Sequence, residues 1–320
     1  MLRATRMARD SKDRRAQNAT AGRMKLPLVL VLCVACTATT PRAVTTPSST
    51  PTRVVRASFS AERVLATIRE LAALGPREAA GPTYKRAASL MGTWFTALGY
   101  SVRNLAVRVS SGTVDKIAVR GGETLDVIAE PPGFNPTRPF VVVGGHLDTV
   151  PDAPGANDNA SGVACVLELA RLARIEPPPT QTVFVAFGAE ESRHHGRNSP
   201  RFAIGSAAYL RSLPAGAKVR VGIILDMVGA GRIVNLIGTG APRATAFAEA
   251  RALGIPAVIN PDRLLSDHVS FLNAGIPAVW LWAGDDPSFH SPRDVYSVVQ
   301  RAEVERIGRV AWETLRALHL

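Results

Sequence analysis

Apolar residues begin to recur with a helical period only from about residue 58. Val64, Leu65, Ile68, Leu71 and Ala72 lie three or four apart and stop at Gly75-Pro76, which predicts an amphipathic helix. A second helix is predicted over 83–98, ending at Gly99. Beyond it, short apolar runs alternate with longer periodic stretches. Strands are predicted at 125–129, 140–143, 182–187, 221–225, 233–237 and 278–282, and helices at 162–174, 207–212, 241–253, 267–274 and 304–318. The strand runs lack polar alternation and are separated by helices, the pattern of a sheet covered on both faces. The fold class expected is α/β: one three-layer domain over 58–320, with a mostly parallel, mixed central sheet flanked by helices and no internal repeat.

The first 57 residues follow a different pattern. Met24-Lys25, ten apolar residues over 26–35 and Cys36-Thr37-Ala38 describe a secretory signal over 24–36. The run is half the roughly 20 residues a spanning helix needs. Residues 1–23 then read as an upstream extension or a long n-region. Val34-Ala35-Cys36 resembles a lipoprotein cleavage site, with Cys33 where Leu is usual, so simple secretion and membrane attachment through a lipidated Cys36 both stay open. Residues 37–57, rich in Thr, Pro and Ser, read as a flexible tether. The expected location is exported: secreted, periplasmic or lipid-anchored.

Charge reinforces this division. The formal net charge is +12, but residues 1–56 hold 11 Lys/Arg against two acids, and the rest holds 27 against 24. The predicted domain is therefore nearly neutral, and nucleic acid is not expected as a partner, because phosphate binding needs a basic face on the folded part. Of the three cysteines, Cys33 and Cys36 lie in the leader and Cys165 is left alone, which excludes an internal disulfide, a zinc ribbon or a paired-thiol redox site in the domain.

Candidate chemistry gathers at the strand ends. The strand at 140–143 runs into Gly144-Gly145-His146-Leu147-Asp148, that at 182–187 into Gly188-Ala189-Glu190-Glu191, that at 221–225 onto Asp226, and that at 278–282 leads by a short loop to His290. In open α/β sheets ligands bind beyond the carboxyl ends of the strands. Asp158, within Asn157-Asp158-Asn159-Ala160-Ser161-Gly162, precedes a helix. Singly, each has an ordinary explanation as a cap, a turn residue or a solvated charge. Together, acids delivered from buried strands to one edge repel one another unless a cation balances them. Imidazole with carboxylate and no thiolate suits zinc, manganese, cobalt or iron, with zinc usual for hydrolysis. Two His and three carboxylates exceed one open tetrahedral site and suit two ions sharing a bridging carboxylate.

At these residues the chain resembles the co-catalytic zinc aminopeptidase family, of zinc exopeptidase fold, which includes bacterial secreted leucyl aminopeptidases and glutamate carboxypeptidases. The resemblance covers roughly 60–318 and rests on His146-Leu147-Asp148, the step to Asp158, Glu190-Glu191, Asp226-Met227-Val228-Gly229 and Phe289-His290-Ser291-Pro292-Arg293-Asp294. It implies a metallo-exopeptidase, expected to be an aminopeptidase that hydrolyses N-terminal residues of peptides, with two zinc ions per chain activating a water. Asp158 would bridge the ions, His146 and Asp226 would hold one, and Glu191 and His290 the other. Glu190 would be the general base and then the acid, and the Asp148 carboxylate would hydrogen-bond the second nitrogen of His146. His268, in Ser266-Asp267-His268, is expected to be structural.

Some residues depart from the family pattern. Phe289 stands where many relatives carry Tyr. The stretch 192–204, with Arg193, His194, His195, Arg197 and Arg201, is inserted before Gly205-Ser206 and is expected to form a cationic loop at the pocket mouth, with His194 and His195 solvated. Trp280, Trp282 and Phe289 are candidates for an apolar pocket. Alternatives within the fold are a single-zinc glutaminyl cyclase and a carboxypeptidase. A binding module with a decayed site would lack ligands, and all five are present. Zinc peptidases with a separate dimerisation domain match Gly145–Pro151 but need an insertion for which 191–290 leaves no room.

Overall fold

The computed structural model describes residues 58–194, 201–261 and 265–320. The leader and tether, with Cys33, Cys36 and the two export readings, lie outside the described residues, as do His195 and Arg197. In chain order the elements are α1 (Ala61–Ala73), α2 (Pro82–Ala97), β1 (Ser101–Val109), β2 (Gly112–Val114), β3 (Ile117–Val119), β4 (Gly122–Glu130), β5 (Phe140–His146), α3 (Gly162–Ile175), β6 (Gln181–Phe187), β7 (Arg193–His194), α4 (Ile204–Ser212), β8 (Val219–Leu225), β9 (Val234–Gly238), α5 (Gly240–Ala252), β10 (Ala257–Ile259), α6 (His268–Asn273), β11 (Ala278–Trp282) and α7 (Arg301–Ala317).

Eight strands form one sheet in the order β1-β4-β6-β5-β8-β11-β9-β10. Four junctions, β6-β5, β5-β8, β8-β11 and β9-β10, are parallel, and three are antiparallel. The expected mixed sheet is therefore present, with its parallel strands at the centre. Alternation along β5 explains the layering: Val141 and Val143 join the core under α1, α2, α3, α5 and α7, whereas Phe140 and Val142 join the core with Tyr209 of α4 and Phe271 of α6. Both faces are covered, so the central strands read as unbroken apolar runs.

Helix α1 buries Val64, Ile68 and Leu71, and Ser60 caps its start by accepting from the Arg63 amide at 3.4 Å. Strands β1, β2, β3, β7 and β10 go beyond the sequence expectation. Strand β1 is an edge strand with an exposed, polar-interrupted face, and the other four have two or three residues each, too few for a period. β3, β2 and β7 form a second, small sheet. It packs Val114 and Val119 over Val150 and Ala153, beside the loop that follows β5. Among the described residues no helix is long and apolar enough to cross a membrane.

Candidate metal centre

Parallel strands aim their carboxyl ends the same way, and the chemistry collects there. His146 is the last residue of β5, Asp226 follows β8 directly, Glu190-Glu191 stand three and four residues beyond β6, and His290 lies in the loop after β11. Asp158 sits in the kinked turn Ala156–Ser161 that enters α3. This turn is held from both sides. Asn159 donates to the Leu225 carbonyl at 3.0 Å and accepts from the Met227 amide at 3.2 Å, while Asn157 accepts from the Gly229 amide at 2.8 Å. Gly162 makes the approach possible: a Cβ there would lie 2.0 Å from the Leu225 carbonyl oxygen. Left-handed backbone at three non-glycine residues, Ala189 (φ 56°), Met227 (φ 51°) and His290 (φ 51°), marks the segments that carry the site.

The geometry brings all five expected ligands together around one carboxylate. Asp158 Oδ1 lies 3.2 Å from His146 Nε2, and Asp158 Oδ2 lies 3.4 Å from His290 Nε2. Asp226 Oδ1 approaches His146 Nε2 at 3.3 Å, and Glu191 Oε2 approaches His290 Nε2 at 3.1 Å. Ligand atoms of His146, Asp158 and Glu191 fall within 4.8 Å of one another. All five side chains are buried except His290, which is a quarter exposed.

Burial makes this concentration of charge expensive, and the titration behaviour shows how it is balanced. Burial opposes the charge on His146, but Asp226 and Asp158 hold its pKa well above the usual imidazole range. Burial likewise opposes the charge on His290, yet Asp158 and Glu191 raise its pKa to about 10. Burial would raise Asp158, but hydrogen bonds from the two imidazoles hold it well below the carboxylate range. Glu191 is pushed up to about 7 by burial and by Asp158, and Glu190 is raised well above its ordinary range by burial, with Glu191 and Asp226 adding to the effect against His146. The raised pKa of both imidazoles sets protons against these carboxylates. A divalent cation fits in their place: the donors are nitrogen and oxygen only, and Glu191 Oε1 is buried with no hydrogen-bond partner.

Asp148 differs from the expectation. His146 Nδ1 faces the Asp148 backbone carbonyl at 3.1 Å, and the carboxylate is 3.8 Å away. The carboxylate is engaged elsewhere, accepting from the Glu190 and Glu191 amides at 3.1 and 3.2 Å, so it fixes the two glutamates instead. His268 is buried at the start of α6 with its ring 5.5 Å from that of Trp280. The stretch after Glu191 is a partial correction. Ser192 and Phe202 line the site's cavity and His194 is exposed, but Arg193 is fully buried. It pairs with Glu78 at 2.5 Å and donates to the carbonyls of Ser110 and Arg120, fastening the loop to the small sheet.

Two supports escaped the sequence reading. The Asp294 carboxylate accepts from the Asn157 and Asp158 amides at 2.7 and 2.9 Å. The buried Arg77 guanidinium donates to the carbonyls of Leu71, Leu147, Pro154 and Gly155, and burial lowers its pKa to about 10. The loops bearing His146 and Asp158 are thus tied to each other through one side chain. The only signal for Asp294 was its place in the last family segment, and Arg77 gave none.

The cavity above these residues has a volume of about 550 Å³. Alternation on β11 turns Trp280 and Trp282 to the same side, rings stacked at 5.4 Å, and with Met227 and Phe289 they form its apolar wall. Phe289 is half exposed and stacks on His290 at 3.7 Å, offering no hydroxyl to the site.

Comparison with known proteins agrees with this geometry. Residues 126–315 match the model of peptidase family M28. Aminopeptidase YwaD of Bacillus subtilis is 31% identical over 186 residues, which are 53% of this chain and 39% of YwaD. The chain thus spans about two fifths of that relative. A zinc aminopeptidase from Bacillus subtilis superposes with a TM-score of 0.71 at 19% identity, covering 80% of this chain and 94% of the other. A Bacteroides thetaiotaomicron glutaminyl cyclase bound to N-acetylhistamine superposes with a TM-score of 0.69 at 20% identity, covering 82% and 99%. These two likenesses establish the shared fold, and the family match covers all five converging side chains: the chain belongs to peptidase family M28.

Proposed function

We propose that this protein is an exported aminopeptidase that removes N-terminal residues from peptides with two zinc ions in one site. The observation that carries the proposal is Asp158 standing between two imidazole–carboxylate pairs, one oxygen toward His146 and the other toward His290. His146 and Asp226 would hold one ion, His290 and Glu191 the other, and Asp158 both. A single ion, held for example by His146, Asp158 and Glu191, would leave the remaining imidazole and carboxylate of the set with no metal to bind.

Bound zinc would acidify a water and polarise the scissile carbonyl. The rest falls to the chain. Glu190, buried and lifted in pKa, takes the proton of the attacking water and returns it to the leaving amine. Asp148 keeps Glu190 and Glu191 in register by accepting from both amides. The acidic surroundings favour a free ammonium group, and the wall of Trp280, Trp282 and Phe289 suits an apolar first side chain. The leader over 24–36 supports export, with secretion and lipid attachment at Cys36 distinguished by mass spectrometry of the mature amino terminus.

The test is metal analysis of the purified protein alongside hydrolysis of peptides with free and acetylated amino termini. Two zinc ions per chain, chelator-sensitive release of the first residue and loss of cleavage on acetylation are expected. One ion per chain, with cyclisation of N-terminal glutamine and no hydrolysis, would replace the proposal with the cyclase reading. Release from the carboxyl end would replace it with a carboxypeptidase.

A further inference from the structure

A second and larger cavity, of about 990 Å³, adjoins the catalytic one, and the two share Trp282, Asp285 and Asp286 as a common wall. Its charge is arranged unevenly. The two aspartates belong to the shared wall, whereas Arg232 and Arg293 line only the second cavity. Both arginines are exposed. Among the described residues the Arg232 guanidinium has no hydrogen bond or ion pair, and Arg293 donates only to the Pro287 carbonyl at 3.3 Å. Two guanidiniums that pair with no carboxylate among the described residues line one cavity, and their planar forks suit a carboxylate. Beside them Asn260 donates to Asn235, whose own amide donates to the carbonyls of Ile233 and Trp282, and the Asn260 carboxamide is of the kind that engages a peptide backbone.

We infer that the second cavity receives the part of the substrate beyond the cleaved bond and that Arg232 and Arg293 bind a carboxylate there, so that the preferred substrates are short anionic peptides. The inference rests on the aminopeptidase reading. Cleavage at the first bond leaves the remaining residues to run out of the catalytic cavity, and the second cavity lies directly beside it, bordered by the same Trp282, Asp285 and Asp286. Acids lie at the metal end and arginines beyond, so the charges complement a peptide with an ammonium at one end and a carboxylate further along. That carboxylate has two sources, the terminal one of a short peptide and an aspartate or glutamate side chain.

The purified full chain is assayed on leucine p-nitroanilide, which carries no carboxylate beyond the cleaved bond, and on a ladder of Leu-Gly peptides ending in a free acid or an amide. A third arm carries amidated peptides with Glu or Gln downstream. Free acids are expected to show a KM about two- to fivefold below their amides at the matching length, the range for a solvent-exposed charge pair, with the advantage shrinking at high salt. An advantage confined to Glu over Gln instead assigns the side chain as the source and equally supports the inference. In Arg232→Gln, and in the double variant with Arg293→Gln, the advantage disappears while leucine p-nitroanilide turnover stays unchanged. Equal KM values for acid, amide, Glu and Gln peptides on an enzyme that cleaves the reporter overturn the inference alone, as does an advantage that survives both variants. No cleavage of reporter or peptides overturns the aminopeptidase reading and this inference with it.

Discussion

Replacing Arg77 with Met is the most direct test of how the metal loops are held. The guanidinium makes four hydrogen bonds to backbone carbonyls, at 2.6 to 3.3 Å, and is fully buried. At the lower end of about 1.5 kcal/mol for a bond to a charged group, the four contribute about 6 kcal/mol. Burial works against this: a pKa lowered from 12.5 to about 10 corresponds to roughly 3 kcal/mol at 1.36 kcal/mol per unit. The difference predicts that Arg77→Met destabilises by about 3 kcal/mol, or a melting temperature lower by roughly 6–12 °C for a domain of this size. Because Leu147 follows His146 and Gly155 opens the turn carrying Asp158, zinc affinity should fall as well, about 10–100-fold. Arg77→Lys should restore little, since one ammonium cannot span four carbonyls. Denaturant unfolding of the metal-free protein reads the first effect and competition with a zinc chelator reads the second. A loss below 1 kcal/mol with unchanged zinc affinity would refute the idea that Arg77 joins the two loops.

The remaining expectations concern the proton acceptor, the titrating imidazoles and the anchored loop. Glu190→Gln should lower kcat by about 10²–10⁴-fold with metal content unchanged, measured by turnover and elemental analysis of the same sample. A near-normal rate would remove Glu190 from the chemistry. In the metal-free protein, the stability from His290 is fully present below the unfolded imidazole pKa of about 6.5 and is lost as pH rises through about 10. Zinc needs the neutral ring, so the gap in melting temperature between zinc-loaded and chelated protein should widen from pH 7 to 9. A constant gap would argue against the paired imidazole. Arg193→Met should cost about 3 kcal/mol, more than Glu78→Gln, because Arg193 also supports two carbonyls. Equal melting shifts for the two variants would contradict that ranking.

The legible part of this protein was the part written in local pattern. Central strands bury both faces, so their apolar runs announce them, and a polar residue placed directly after such a run can only emerge at the sheet's edge. That is why His146, Glu191 and Asp226 could be read as neighbours although they are distant in the chain. Strand β1 failed the same test because, at the edge, Arg103, Asn104 and Arg108 interrupt its apolar residues.

What stayed hidden has one physical origin: a buried polar residue is defined by its partners, and here the partners are remote. Arg77 meets three of its four carbonyls 70 to 78 residues away in sequence, Asp294 meets amides more than 130 residues away, and Arg193 closes on Glu78 across 115. In the sequence each looks like an ordinary solvated charge, and for most of the described arginines, which are exposed, that reading is correct. The ligands repel one another and therefore advertise a cation. Their supports are satisfied by neutral backbone or by a single opposite charge and advertise nothing. The asymmetry puts the control of the site one layer outside the five converging side chains, in residues such as Arg77 and Asp294 that decide whether Asp158 arrives between the two imidazoles at all.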